Sequence, residues 1–172
     1  MGEDQVQRMR GAGDAEQTPS ERLITYLRRH KIDAEVIAPG VPMPTVALAA
    51  AAIGARPEQI LKSLLFQDRT GAIVLVIASG SNRVRPDRLA AIAGLDRPRL
   101  ADPATVARET GYPAGGVAPV GHRAPLRVIL DRRAAELDVA YGGGGAEELL
   151  LRIRPADVVR LTGAEIADLT GD

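Results

Sequence analysis

The segment Pro57-Glu58-Gln59-Ile60-Leu61-Lys62-Ser63-Leu64-Leu65-Phe66, followed after Asp68-Arg69-Thr70-Gly71 by Ala72-Ile73-Val74-Leu75-Val76-Ile77-Ala78, decides how this chain folds. Residues 61–66 and 72–78 are short apolar runs separated by a connection with turn chemistry, which is the pattern of a β-hairpin. Upstream, Pro39, Gly40, Pro42 and Pro44 make a stiff loop, and Thr45 caps an Ala-rich helix over 46–53 that stops at Gly54. Before that loop come a strand at 34–37 and a first helix. The helix begins around Thr18-Pro19-Ser20 with Ser20 as N-cap, carries Leu23, Ile24 and Leu27 on one face, and ends near His30.

Downstream, a polar loop over 79–85 leads to a helix at 86–93 closed by Gly94, and a short strand follows at Arg99-Leu100. Asp102-Pro103 opens a helix that runs to Thr110 and is closed by Gly111. Strands are expected at 127–131, 138–140 and 149–153, with the glycine run 142–145 between the last two. A helical turn at Pro155 and a closing helix over 162–169 complete the chain. Strands and helices are mixed without regular βαβ alternation. The expected fold class is therefore α/β (mixed α+β), a single domain with a curled, mixed, mostly antiparallel sheet flanked by short helices. The domain spans 19–172, and residues 1–18, which lack any apolar period, are expected to form a flexible N-terminal tail.

Composition narrows the chemistry. The 172 residues include no cysteine, which removes a disulfide framework, a thiolate nucleophile and a Cys-based zinc site. With only His30 and His122 as histidines, no metal site and no cofactor are expected. The N-terminus is polar and no run approaches the ~18 apolar residues of a membrane span, so a soluble cytoplasmic protein without a membrane partner is expected. A formal net charge of zero argues against broad, indiscriminate nucleic-acid binding but leaves room for a local basic patch.

Several residues carry candidate chemistry. Lys62 alternates onto one strand face with Leu64 and Phe66, where it either snorkels to the edge or serves a polar site. Of the 22 basic residues only Lys31 and Lys62 are lysine, which suggests a need for a compact ammonium at position 62. The stretch Gly111-Tyr112-Pro113-Ala114-Gly115-Gly116-Val117-Ala118-Pro119-Val120-Gly121-His122 is either an ordinary tight loop or a backbone cradle for an anion or carbonyl oxygen. Tyr141-Gly142-Gly143-Gly144-Gly145 is either a flexible connection or a pocket wall. His122 titrates near neutrality and is a possible base or a surface residue. Arg83, Arg85 and Arg88 either touch phosphates or form a solvated face.

In order and spacing, these pieces resemble the YbaK / prolyl-tRNA synthetase-associated domain family from about Ser20 to Ala164. The landmarks are the helix after Thr45, Pro57 to Leu64, the 73–78 strand, Thr110-Gly111-Tyr112 with 115–121, the strand ending in Asp131, and Ile153-Arg154-Pro155-Ala156-Asp157. The resemblance implies a YbaK-like aminoacyl-tRNA deacylase that hydrolyses the ester joining a wrong amino acid to tRNA in translation quality control. Its implied partners are mischarged tRNA and, for some members, an aminoacyl-tRNA synthetase.

On this resemblance Lys62 orients the substrate, and Gly115 and Gly116 line the reacting carbonyl. Ser63, Tyr112, Pro119, His122 and Gly143 form the substrate pocket, and Arg83, Arg85 and Arg88 meet RNA. Gly143 falls where some members carry Ser, and Leu150 about where some have an acidic residue. In this family the substrate itself helps to activate the attacking group. Two other readings of the sequence are a non-catalytic tRNA- or synthetase-binding module and a hydrolase of small aminoacyl esters.

Overall fold

The hairpin is the centre of the molecule. In the computed structural model, which describes residues 17–171, β2 (Leu61–Gln67) and β3 (Ile73–Ser79) pair antiparallel from Leu61 opposite Ser79 to Gln67 opposite Ile73. Asp68 ties the turn: one carboxylate oxygen accepts from the Thr70 amide and hydroxyl and the Ala72 amide at 2.7–3.0 Å, and the other from the Asp96 amide at 3.0 Å. These donors, the Asp96 amide foremost, hold the Asp68 carboxyl down at about 2.

Around the hairpin the five-stranded sheet runs β4-β2-β3-β5-β8. β4 (Arg99–Leu100) lies antiparallel on the outer edge of β2, and β5 (Val128–Asp131) and β8 (Glu165–Ala167) add in parallel beyond β3. A smaller antiparallel sheet has the order β1-β7-β6, built from β1 (Glu35–Ile37), β7 (Leu150–Ile153) and β6 (Ala140–Gly143). A bridge from Ile60 to Tyr141 joins the two. The single curled sheet expected from the sequence is thus realised as two sheets meeting at the start of β2, with most pairings antiparallel.

Period-2 alternation gives the large sheet two buried faces. Leu61, Leu65, Leu75, Ile77 and Leu130 face a core shared with Leu23 and Leu27 of α1 (Pro19–Arg29) and Val158 of α6 (Pro155–Thr162). Phe66, Val74, Val76 and Ile129 face a second core with Leu89 and Ala93 of α3 (Pro86–Ala93) and with Leu169. A third cluster packs Ala49 and Ala50 of α2 (Val46–Ile53) against Ile60 and Leu150, at the junction of the sheets. Each fully buried aliphatic side chain contributes roughly 1.5–3 kcal/mol, so these clusters compensate for the near absence of aromatics.

Local chemistry explains most boundaries. Thr45 accepts from the Leu48 amide to open α2, and Asp102 accepts from the Thr105 amide to open α4 (Pro103–Thr110). The N-cap of α1 is Thr18 rather than Ser20: Thr18 and Glu21 form a reciprocal capping box around Pro19, which places Ser20 inside the first turn. The tail expected over 1–18 lies almost wholly outside the described residues. The closing helix expected over 162–169 is absent there: α6 stops at Gly163, with φ of +67°, and Glu165–Ala167 instead extends the sheet beside β5. The remaining helix, α5 (Arg132–Ala135), has too few residues to show a period in the sequence.

β6 is displaced from the expected 138–140 into the glycine run. There Tyr141, Gly142 and Gly143 pair with Arg152, Leu151 and Leu150, and at 142 and 143 only glycine leaves room for the loop packed on them. Fully buried Asp131 ends β5 and locks the C-terminal segment, accepting from the Leu169 amide and the Thr170 amide and hydroxyl at 2.8–3.2 Å. No helix among the described residues is long and apolar enough to cross a membrane.

Candidate active site

The first strand of the hairpin has an incomplete edge. β4 covers only Phe66 and Gln67 of β2, so residues 62–64 have no strand partner on that side. A cavity of about 270 Å³ opens there, bounded by β2, α2, the tip of the glycine-rich loop at 114–117 and the 143–150 hairpin. Lys62, Ser63, Gly115 and Gly143 all line it. Lys62 is thus part of the cavity wall, and no ion pair engages it among the described residues. The Ser63 hydroxyl is buried and lacks a hydrogen-bond partner among the described residues, a cost that a ligand's polar atom would relieve.

The two adjacent glycines differ in what they offer. The Gly116 amide donates to the Pro113 carbonyl at 2.9 Å, and the Gly116 carbonyl accepts from the Gly145 amide at 2.9 Å. A Cβ on Gly116 would lie 2.6 Å from the Ala146 backbone, so this residue is a packing contact. The amides of Ala114, Gly115 and Val117, residues that do line the cavity, have no acceptor among the described residues. These amides are free to donate to a ligand, whereas the Gly116 amide is already used within the loop.

Other expected residues lie elsewhere. Tyr112 is buried in the core and its hydroxyl donates to the Val120 and Gly121 carbonyls at 2.8 and 2.9 Å, bracing the loop from behind; burial raises its phenol pKa. Pro119 is buried against Gly142. His122 lines a separate cavity of about 300 Å³ beside Tyr26 and Leu126. Its Nε2 lies 2.8 Å from the Ala118 carbonyl, and burial holds its pKa below the ordinary value. The loop is a cross-braced plug of which only the tip reaches the cavity, so these three do not line the cavity that holds Lys62.

The arginines are also apart from the cavity wall. Arg85 pairs with Asp87 at 2.8 Å, and Arg88 pairs with Asp168 at 2.9 Å while packing over Gly171. Arg83 is exposed and makes no ion pair among the described residues. Gly143 forms part of the cavity wall, but its Cα packs so closely on the Val117 carbonyl that a Cβ would lie 2.3 Å from that oxygen.

The residue that sequence reasoning missed is Glu147. It lines both this cavity and an adjoining one of about 480 Å³, which also shares Met43, Pro44 and Gly115. The available signal was the hairpin itself, since pairing of Gly143 with Leu150 places the intervening residues at the same rim. Thr45, Val46 and Leu150 complete a largely apolar wall. Among the described residues, no group of three or more His, Asp or Glu is arranged to hold a metal.

Known proteins resemble this chain in sequence and fold. A candidate trans-editing enzyme for prolyl-tRNA synthetase superposes with a TM-score of 0.79 at 32% identity, over 92% of this chain and 100% of that one. A candidate Cys-tRNA(Pro)/Cys-tRNA(Cys) deacylase, EbsC of Enterococcus faecalis (strain ATCC 700802 / V583), is 24% identical over 122 residues, covering 70% of this chain and 74% of its own. The proline–tRNA ligase of Stenotrophomonas maltophilia (strain R551-3) is 31% identical over 101 residues, 56% of this chain but only 18% of the ligase. The model of the aminoacyl-tRNA editing domain matches residues 41–161, which span the whole cavity, and the chain belongs to that family.

Proposed function

We propose that this protein, an aminoacyl-tRNA deacylase by family, hydrolyses the ester of an amino acid with a small uncharged side chain on mischarged tRNA at the cavity between Lys62 and Gly115. The observation that carries this reading is the unpaired Lys62 ammonium and the open Gly115 amide in one cavity wall. A water attacks the ester carbonyl carbon. The Gly115 and Val117 amides receive the charge developing on the carbonyl oxygen. The bond from the acyl carbon to the ribose oxygen then breaks, and the ribose hydroxyl leaves with one proton of the attacking water, the other passing to solvent. Lys62 holds the anionic or ester end of the substrate in register with those donors. Ser63 supplies its unpartnered hydroxyl to a polar atom of the substrate. Water rather than Ser63 is taken as the nucleophile, since no histidine lines this cavity to take the hydroxyl proton.

The apolar wall of Met43, Val46, Ala49, Leu64 and Leu150 and the modest volume favour a small neutral side chain, such as that of Ala, Cys, Ser or Pro. The match along the full length of a candidate trans-editing enzyme supports action in trans. Arg83 is the best placed of the three arginines to meet a phosphate of the acceptor end. The test is release of amino acid from Ala-, Cys-, Ser- and Pro-charged tRNA sets in parallel, with Lys62→Ala as control. Cleavage by wild type that is lost in the variant is expected. Retention of tRNA with every ester intact would instead make the protein a binding module.

A further inference from the structure

The mouth of the cavity carries a charge that an RNA-binding site would ordinarily avoid. Glu147 lines the inner cavity, and Glu147 and Glu148 both line the outer one. Among the described residues no hydrogen bond or ion pair engages the Glu147 carboxylate, which therefore lines the cavity unpaired. A carboxylate facing a polyanionic terminus is repulsive unless the substrate brings its own cation. Every aminoacyl ester brings one, the α-amino group, which takes up a proton near neutral pH and donates hydrogen bonds.

Position supports the same pairing. The Glu147 side chain lies directly over Gly115, with Cγ and Oε1 2.7 and 2.8 Å from where a Cβ on that glycine would stand. Gly115 carries one of the amides assigned to the ester carbonyl, and the α-nitrogen sits on the carbon next to that carbonyl. A carboxylate beside the oxyanion donor is therefore within reach of the amino group. Resting on the deacylase reading above, we propose that Glu147 anchors the substrate's free α-ammonium. The enzyme then accepts aminoacyl esters and rejects those whose amino group is acylated, such as peptidyl or formylated tRNA.

The experiment compares alanyl-tRNA with N-acetyl-alanyl-tRNA, for wild type and Glu147→Gln, by release of the acyl group. In parallel, calorimetry follows binding of 3′-(alanylamino)-3′-deoxyadenosine and its N-acetyl form. A charge-assisted hydrogen bond corresponds to about 10- to 100-fold in each ratio. Wild type is expected to prefer the free amine by that factor in kcat/KM and in affinity. Glu147→Gln should lose only on the free amine, bringing both ratios to within about threefold of unity by the same coupling.

Equal handling of the two substrates by wild type would overturn the assignment. So would an equal loss on both in Glu147→Gln, which would mark the carboxylate as a general base or a structural group. If no ester of the Ala, Cys, Ser and Pro sets is cleaved but the amide binds with the amine preference, the deacylase reading fails and the Glu147 assignment stands. Glu147 is exposed and the change nearly isosteric, so the thermal melt should be unaltered.

Discussion

Glu147 and Gly115 touch across the rim of the cavity, so that a methyl group on Gly115 would come 2.7 Å from the Glu147 Cγ. The obstruction is a flexible side chain, whereas the methyl group of Gly116→Ala would meet the Ala146 backbone at 2.6 Å. Gly115→Ala should therefore fold normally and lose about tenfold or more in kcat/KM, because Glu147 and the open amide are both displaced. Gly116→Ala should lower the melting temperature, at a cost of about 1–3 kcal/mol. Thermal denaturation and deacylation, measured together on the two variants, separate the roles.

Lys62→Ala is expected to reduce kcat/KM about 10²–10³-fold, the scale typical of removing a preorganised electrostatic partner. Lys62→Arg should recover little, since a planar guanidinium on a longer stem does not reproduce a compact ammonium. Single-turnover release of amino acid from charged tRNA checks both, and full activity in Lys62→Ala would remove the lysine from the mechanism.

His122→Gln should keep activity within about twofold while changing the response of stability to acid. Burial depresses the folded-state pKa of His122 below its ordinary value of 6.5. Below about 6.5 the unfolded chain takes up a proton that the folded chain refuses, so stability falls as pH drops through that window toward the folded pKa. Glutamine retains a donor for the Ala118 carbonyl without the titration. Its melting temperature should therefore decline less than that of wild type between about pH 7 and 5. Parallel melts at stepped pH would show no difference if the ring were accessible in the fold.

Gly143→Ser should destabilise the domain by about 1–3 kcal/mol, because the new Cβ would have to displace the Val117 backbone. A serine at this position requires a different path for the 115–117 loop. A urea titration of the variant measures the cost, and an unchanged midpoint would show that the loop adjusts freely.

Arg83→Glu is expected to raise KM for charged tRNA and leave kcat unaltered, and to flatten the dependence of KM on salt by about one phosphate contact. The same reversal at Arg88 should act chiefly on stability, since Arg88 pairs with Asp168 and packs over Gly171. Kinetics across a salt series distinguishes the two.

Local signals in the sequence were enough to determine the hairpin of β2 and β3, the caps at Thr45 and Asp102, the stops at Gly54, Gly94 and Gly111, and the sheet face that carries Lys62. Each depends on neighbouring residues: turn chemistry, side-chain alternation, or a positive φ that suits glycine. The tertiary structure alone decided that 165–167 is a strand rather than helix, because that choice depends on the edge of β5, more than thirty residues away. It also decided which part of the glycine-rich loop meets the cavity. Tyr112, Pro119 and His122 share that loop with Gly115, but none of them lines the cavity, and Tyr112 bonds instead to Val120 and Gly121. Glu147 stayed hidden for the same reason: a lone acidic residue in a turn has no signature until strand pairing brings it over a glycine thirty-two positions earlier in the chain.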